Sequence, residues 1–320
     1  MRLRLKFIWI VISVITLGIG LLPLVPAAAQ EESEACAPAK EGFPPGETTR
    51  RLIVSGGERS YLLHIPSGYD PSKRYPLVLS FHGFTSNSED QSTLTRFGKL
   101  ADSEGFIVVF PQGLAVPPFP PRWNAGITPF MEEDSADDVG FVKALLDDLE
   151  ATLCVDTYRI YANGFSNGAG FVHRLACELS DRITAIGGVS GAYLEQKGGC
   201  NPVRAVPIIA FHSDTDPVAR IEGIPAQGAI PVRTWIEGWV ERNGCSASPE
   251  ALEPIGAVEG THYSGCKDGV EVVFYLIKGA GHTWAGGRDI PFVGATNRDI
   301  SASEVMWSFF KQYTLQGAVQ

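Results

Sequence analysis

One stretch of the chain has the residue types and spacing to attack a carbonyl group: Gly164-Phe165-Ser166-Asn167-Gly168. An apolar run over 159–162 leads into it, and a helical segment follows to about Ser180. Strand, sharp turn and helix in that order form the setting of a nucleophile elbow. The turn forces a strained backbone on the serine, and glycines two residues to either side remove side chains that would collide there. The hydroxyl is then held clear of the sheet. The amide of Asn167 falls at a helix N-terminus, where it can donate to a developing oxyanion.

A serine hydroxyl is a weak nucleophile at neutral pH and needs a base to take its proton as it attacks. The ends of three other apolar runs supply the partners. The run over 76–81 finishes in His82-Gly83-Phe84-Thr85, that over 205–211 in His212-Ser213-Asp214-Thr215-Asp216, and that over 270–277 in Gly279-Ala280-Gly281-His282. His282, set in a glycine-containing loop, is the expected base. Asp216 is expected to hold its imidazole in the right tautomer. Asp214 competes for that role, and Asp216 is preferred because it lies farther along the loop, before Pro217-Val218. His82-Gly83 reads as the oxyanion loop, with the amide of Phe84 or of Thr85 joining that of Asn167. His82 and His212 themselves read as structural.

Further out, Trp123 follows a proline-rich loop over 116–121 and Trp284 lies two residues beyond His282, so both are expected as an aromatic rim for the substrate. The acidic cluster Glu132, Glu133, Asp134, Asp137 and Asp138 reads as solvated charge and as complement to a helix N-terminus, not as a calcium site. The chemistry requires no metal and no organic cofactor.

The elements that must position these groups are legible as periodicity. Short runs over 51–54 and 61–65, separated by Ser55-Gly56-Gly57-Glu58, predict an antiparallel hairpin. Nearly continuous apolar runs over 76–81, 105–110, 159–162, 183–189, 205–211 and 270–277 predict strands buried on both faces, hence a parallel sheet covered by helices. Helical patterns over 94–103, 138–153, 232–243 and 303–313 lie between or after them. An antiparallel start followed by strand–helix alternation gives an α/β fold, a doubly wound and mostly parallel sheet, in which chemistry collects at the carboxyl ends of strands.

The chain opens with Arg2, Arg4 and Lys6, continues through an apolar run over 7–22, and reaches Ala27-Ala28-Ala29. This describes a secretory signal peptide over 1–29, leaving 30–320 as a single catalytic domain. Three basic residues leave with the signal, taking the formal charge from −10 to −13 (−10 − 3). So acidic a surface argues against nucleic acid and anionic membranes as partners. A secreted monomer is expected. Six cysteines in such a chain suggest disulfides, and their spacing lacks paired metal knuckles. Cys245 and Cys266 flank one short segment and are the expected pair. Cys36, Cys154, Cys177 and Cys200 allow three pairings, among which the sequence does not choose.

Ser166, Asp216 and His282 follow the chain order of α/β-hydrolases. Together with His82-Gly83 and Gly281-His282-Thr283-Trp284-Ala285-Gly286-Gly287, the elbow resembles the secreted esterase family that contains polyhydroxybutyrate depolymerases and feruloyl esterases. The cysteine contexts around 154, 177, 245 and 266 look like those of fungal-type feruloyl esterases. The segments Trp123-Asn124-Ala125-Gly126 and Asp137-Asp138-Val139-Gly140 look like the depolymerase branch. The resemblance implies the α/β-hydrolase fold, the triad and an extracellular ester substrate. Relatives often carry glycine in place of Ser213 and proline in place of Ala285, and polymer depolymerases often append a substrate-binding domain. The expected substrate is therefore a feruloylated polysaccharide fragment, ahead of a hydroxyalkanoate polyester or an acetylated or short-chain ester. The contrasting expectation is a hydrolase-fold binding module without catalysis.

Overall fold

The computed structural model describes residues 43–129 and 136–318. The predicted signal peptide, Cys36 and the acidic residues Glu132, Glu133 and Asp134 lie outside the described residues. All described residues belong to one compact unit, Ala35–Gln320.

The central strands are apolar along their whole length because both faces are covered. β1 (Gly46–Val54) and β2 (Gly57–Ile65) form the expected hairpin, turned at Ser55 and Gly56, which both take positive φ. β3 (Tyr75–Phe81), β4 (Ile107–Pro111), β5 (Val155–Phe165), β6 (Ala185–Val189) and β7 (Ile208–Ser213) follow. Every residue of β3, β4, β6 and β7 is buried. β8 (Glu250–Ile255), β9 (Val258–Tyr263) and β10 (Val272–Ile277) complete a ten-stranded sheet in the order β1-β2-β4-β3-β5-β6-β7-β10-β9-β8. Pairing is parallel from β4 through β10 and antiparallel at both edges.

Helices cover the two faces. On one, α3 (Asp138–Thr152), α4 (Asn167–Glu178) and α5 (Val232–Asn243) bury Val142, Leu145, Phe171, Val172, Trp235 and Trp239 against the sheet. On the other, α2 (Phe97–Glu104) and α6 (Ala302–Phe310) do the same with Phe97, Met306, Trp307 and Phe310. α3 begins where Asp137 accepts a hydrogen bond from the Gly140 amide at 2.8 Å, an N-cap that also complements the helix dipole.

Two expectations need correction. The single helix over 94–103 is two helices, α1 (Ser88–Thr95) and α2, separated by Arg96 at φ 56°. Asn87 caps α1 earlier than the apolar pattern begins, and the left-handed residue redirects the chain so that Phe97 enters the core. The sheet also gains the hairpin β8–β9, which gave no strand signal because five of the six residues of β8 are exposed. The Cys245–Cys266 disulfide, the pairing expected from spacing, closes the loop that contains this hairpin. Cys177–Cys200 selects one of the three pairings left open, and Cys154 is also disulfide-bonded.

One buried ion pair ties β2 to the segment beside Trp123. Arg59 on β2 donates to Asp138 at 2.8 Å, with both side chains almost fully buried, and the other Asp138 oxygen accepts the Asn124 amide beside Trp123. Arg59 also lies over the Phe141 ring at 3.9 Å. Removing one partner leaves a buried charge uncompensated, which costs about 3–5 kcal/mol, whereas replacing both with apolar groups is nearly neutral. Arg59→Leu should therefore lower the urea unfolding free energy by about that amount, and Arg59→Leu/Asp138→Leu should recover most of it. A double variant as unstable as the single one would show that the pair is not the source.

Candidate active site

β5 ends at Phe165, and α4 begins at Asn167, so Ser166 alone makes the turn, with φ 55° and ψ −118°. The turn is held by a 3.0 Å hydrogen bond from the Ser166 amide to the Val189 carbonyl at the end of β6. The glycines act on their surroundings more than on the serine. A methyl group on Gly164 would lie 2.3 Å from the Gly168 carbonyl, and one on Gly168 would lie 2.3 Å from the Phe81 carbonyl at the end of β3. Both distances are prohibitive, so α4 can start this close to the sheet only with glycine at each position.

The loop after β3 lies over this elbow, so closely that a methyl on Gly83 would be 3.3 Å from the Ser166 Cβ. The Thr85 amide donates to the Pro121 carbonyl at 2.9 Å and is thus spent, which leaves the Phe84 amide as the candidate oxyanion donor opposite Asn167. His82 is fully buried and supports the loop from beneath. Its Nε2 accepts from the Gly113 amide at 2.9 Å, so Nδ1 carries the proton and donates to the Gly83 carbonyl at 2.7 Å. Burial pushes the His82 pKa down to about 4.

The carboxyl ends of β7 and β10 bring Asp216 and His282 together. Asp216 Oδ2 lies 2.7 Å from His282 Nδ1, while Oδ1 accepts the amides of Val218 at 2.8 Å and Ala219 at 2.9 Å. Burial pushes the Asp216 carboxyl up, but the His282 bond and charge, the Val218 amide and the nearby His212 outweigh it, and the net shift is downward. The carboxylate therefore stays ionised and orients the imidazole, leaving Nε2 free of it. The His282 ring is 4.7 Å, centroid to centroid, from Phe165, the neighbour of Ser166. Asp214 turns away and accepts the Gly279 amide at 2.8 Å. His212 donates to the Ala219 carbonyl at 2.7 Å, a structural role.

The loops that carry Asp216 and His282 are stitched to each other. Ser213 Oγ and Thr215 Oγ1 both donate to the Ala280 carbonyl, at 2.6 and 2.7 Å. On its far side the His282 loop is fixed by the Gly281 amide on the Ala295 carbonyl and the His282 amide on the Val293 carbonyl, both at 2.8 Å. Ser213 thus has a mechanical role, joining the loop after β7 to the loop that carries His282.

A pocket of about 420 Å³ opens beside Ser166, walled by Phe84, Phe119, Leu194, Val218 and Ile224. The aromatic rim differs from expectation. Trp284 is buried, packs edge-on against Phe97 and Phe165, and donates from Nε1 to Ser303 at 3.0 Å, so it belongs to the core and not to the pocket. Trp123 does line the pocket, but its ring is buried in a stack on Phe171 and its Nε1 donates to the His82 carbonyl at 3.0 Å. Asn167, chosen for its amide, has a second function in its side chain. Oδ1 accepts the Trp123 amide at 2.7 Å and Nδ2 donates to the Trp123 carbonyl at 3.1 Å, clamping the pocket wall to the first turn of α4. Phe119 and Arg122 were missed, although the proline-rich segment ending in an aromatic residue was a signal for a rigid wall.

The fold is of the α/β-hydrolase type, and comparison with known proteins gives the family. The esterase PHB depolymerase family model matches residues 59–239, and the chain belongs to that family. Feruloyl esterase C of Emericella nidulans is 30% identical over 79% of this chain and 83% of its own length. Feruloyl esterase D of Neurospora crassa is 27% identical over 91% of this chain and 93% of its own. Among solved structures, the acetyl xylan esterase from Aspergillus awamori superposes with a TM-score of 0.57 over 82% of this chain and 99% of that one, at 14% identity, a likeness of fold. The chain is a carboxylic ester hydrolase.

Two outcomes follow from the geometry. With the His82 folded-state pKa depressed to about 4, the unfolded chain binds a proton that the native protein refuses, so stability is lost as pH falls from about 6.5 toward 4. Unfolding midpoints measured across that range should decline, and His82→Gln should flatten the slope; an unchanged slope counts against the assignment. Separately, Ser213→Ala/Thr215→Val orphans the Ala280 carbonyl and should cost about 1–3 kcal/mol in urea unfolding. No loss would mean the stitch is dispensable.

Proposed function

We propose that the protein is a secreted serine carboxylesterase acting through an acyl-enzyme on hydroxycinnamoyl esters of plant polysaccharide. The observation that carries the serine mechanism is the 2.7 Å Asp216–His282 contact in a site where Ser166 stands on a strained turn. His282 Nε2 takes the Ser166 hydroxyl proton as Oγ bonds to the substrate carbonyl carbon. The amides of Phe84 and Asn167 receive the negative charge that moves onto the carbonyl oxygen. The tetrahedral intermediate collapses, the alcohol leaves with the proton from His282, and water repeats the sequence to release the acid. Asp216 stabilises the imidazolium at each pass.

Substrate class rests on the pocket. Its volume of about 420 Å³ and its apolar walls suit an aromatic acyl group, and an acetyl group would leave most of it empty. The fungal feruloyl esterases among the relatives agree with this choice. Polyester hydrolysis is the second reading, favoured by the family match and by Phe84, Phe119 and Val218, which are exposed at the pocket. The disulfides support action in an oxidising compartment. Among the described residues no helix is long and apolar enough to cross a membrane.

Wild-type protein should hydrolyse p-nitrophenyl acetate and release ferulate from methyl ferulate, and Ser166→Ala should reduce both by about 10⁴-fold or more. Equal rates for the two proteins would end the serine assignment. Clearing of a hydroxybutyrate film without ferulate release would reverse the order of the two substrates.

A further inference from the structure

The pocket beside Ser166 has a charge pattern that ester hydrolysis alone does not require. Among its described lining residues the charged side chains are Arg122 and Arg220, with no aspartate or glutamate facing them. This occurs in a chain of formal charge −10, where acidic residues outnumber basic ones by 36 to 26. Several arginines elsewhere are paired with acids, Arg59 with Asp138, Arg159 with Asp156, Arg174 with Glu178 and Arg182 with Asp147 and Glu150, while Arg204 and Arg242 donate to backbone carbonyls. Among the described residues neither pocket arginine forms an ion pair. Asp138, the acid whose field reaches Arg122, is already committed to Arg59 and the Asn124 amide.

Arg122 is also held in place. Its guanidinium lies over the Phe119 ring at 4.0 Å, and its backbone pairs with Leu114 across a short ladder. Stacking occupies the face of the guanidinium and leaves its N–H edge free to donate, the arrangement that suits a bidentate carboxylate. Partial burial depresses its pKa, with the Asp138 charge opposing. Such a cation gains more from an incoming anion than a solvated one does. Arg220 is exposed and follows Ala219, whose amide binds Asp216, so it stands where the acid loop meets the pocket.

We propose that the substrate is an ester bearing a free carboxylate, and that Arg122 and Arg220 are the specificity residues that bind it. The inference rests on the serine-esterase reading of the same site; a carboxylate on the alcohol keeps the hydroxycinnamoyl acyl group of that reading, and one on the acyl chain replaces it. Two sources share this chemistry: a carboxylate at the far end of the acyl chain, as in a dicarboxylic half-ester, and one on the alcohol, as in an ester of a hydroxy acid or a uronate sugar.

Two matched pairs separate them. p-Nitrophenyl hemisuberate against p-nitrophenyl octanoate places the charge on the acyl side. The butyryl ester of 3-hydroxybutyric acid against that of 3-hydroxybutyramide places it on the alcohol side. Wild-type kcat/KM should favour the charged member of one pair by about tenfold, the scale of one charge-assisted hydrogen bond. That ratio should shrink as salt is raised and approach unity in Arg122→Gln and Arg220→Gln, with Arg122→Lys retaining part of it. A ratio near unity in the wild type for both pairs, or a preference that survives both glutamine variants, overturns the proposal.

Calorimetric titration of Ser166→Ala with suberate and with 3-hydroxybutyrate reads the arginines without turnover. Binding of either that vanishes in the glutamine backgrounds supports the proposal, and no binding of either at millimolar concentration counts against it. Hydrolysis of the neutral esters, compared between wild type and Ser166→Ala, tests the serine reading on its own.

Discussion

The distance between the start of α4 and the end of β3 governs the rest of the molecule. At Gly168 the helix backbone meets the Phe81 and His82 carbonyls so closely that no Cβ can stand between them, and Gly164 meets Gly168 in the same way. This near contact of backbones places the Ser166 turn beside the His82-Gly83 loop. It also puts the first amides of α4 beside Ser166, where the proposed mechanism develops negative charge. The strain at φ 55° on Ser166 persists because β5, β6 and α4 are each fixed by buried neighbours. A looser packing would let the serine relax and would dissolve the site.

Around that contact the remaining groups are positioned by hydrogen bonds that run from side chain to backbone. His82 holds the Gly83 carbonyl and the Gly113 amide, Asn167 holds Trp123, and Ser213 and Thr215 hold Ala280. Such bonds suit loops, which have unpaired backbone groups and no ladder to satisfy them. Buried or part-buried, they hold the loops of Asp216 and His282 and the candidate donors in register. Asp138 extends the scheme to β2, accepting the Asn124 amide on one oxygen and the Arg59 side chain on the other.

The fold was readable in the sequence wherever strands are buried on both faces. β3, β4, β6, β7 and β10 announced themselves as unbroken apolar runs, and Ser166, Asp216 and His282 stand at the carboxyl ends of three strands. What escaped did so for physical reasons. β8 is exposed along almost its whole length and carries no hydrophobic period. The break at Arg96 lies in a backbone angle that composition does not encode. Trp284 sits next to the histidine in sequence, but a tryptophan beside a strand end can face the core as easily as the solvent, and here it faces Phe97 and Ser303. The second function of Asn167 depends on a loop forty-four residues away, a distance no local pattern spans.

Sheet and helices determine where the reacting groups stand, whereas the pocket walls come mainly from connecting segments near residues 84, 119–128, 191–194 and 218–230. Trp123, Ala125, Leu194 and Ala229 anchor these segments in the core, while Phe84, Phe119, Val218 and Arg220 are exposed. The molecule therefore separates two kinds of heritable change. Exchanges in the walls can redirect selectivity while the reacting groups keep their geometry, so one scaffold can diversify across many acids and alcohols without passing through inactive intermediates.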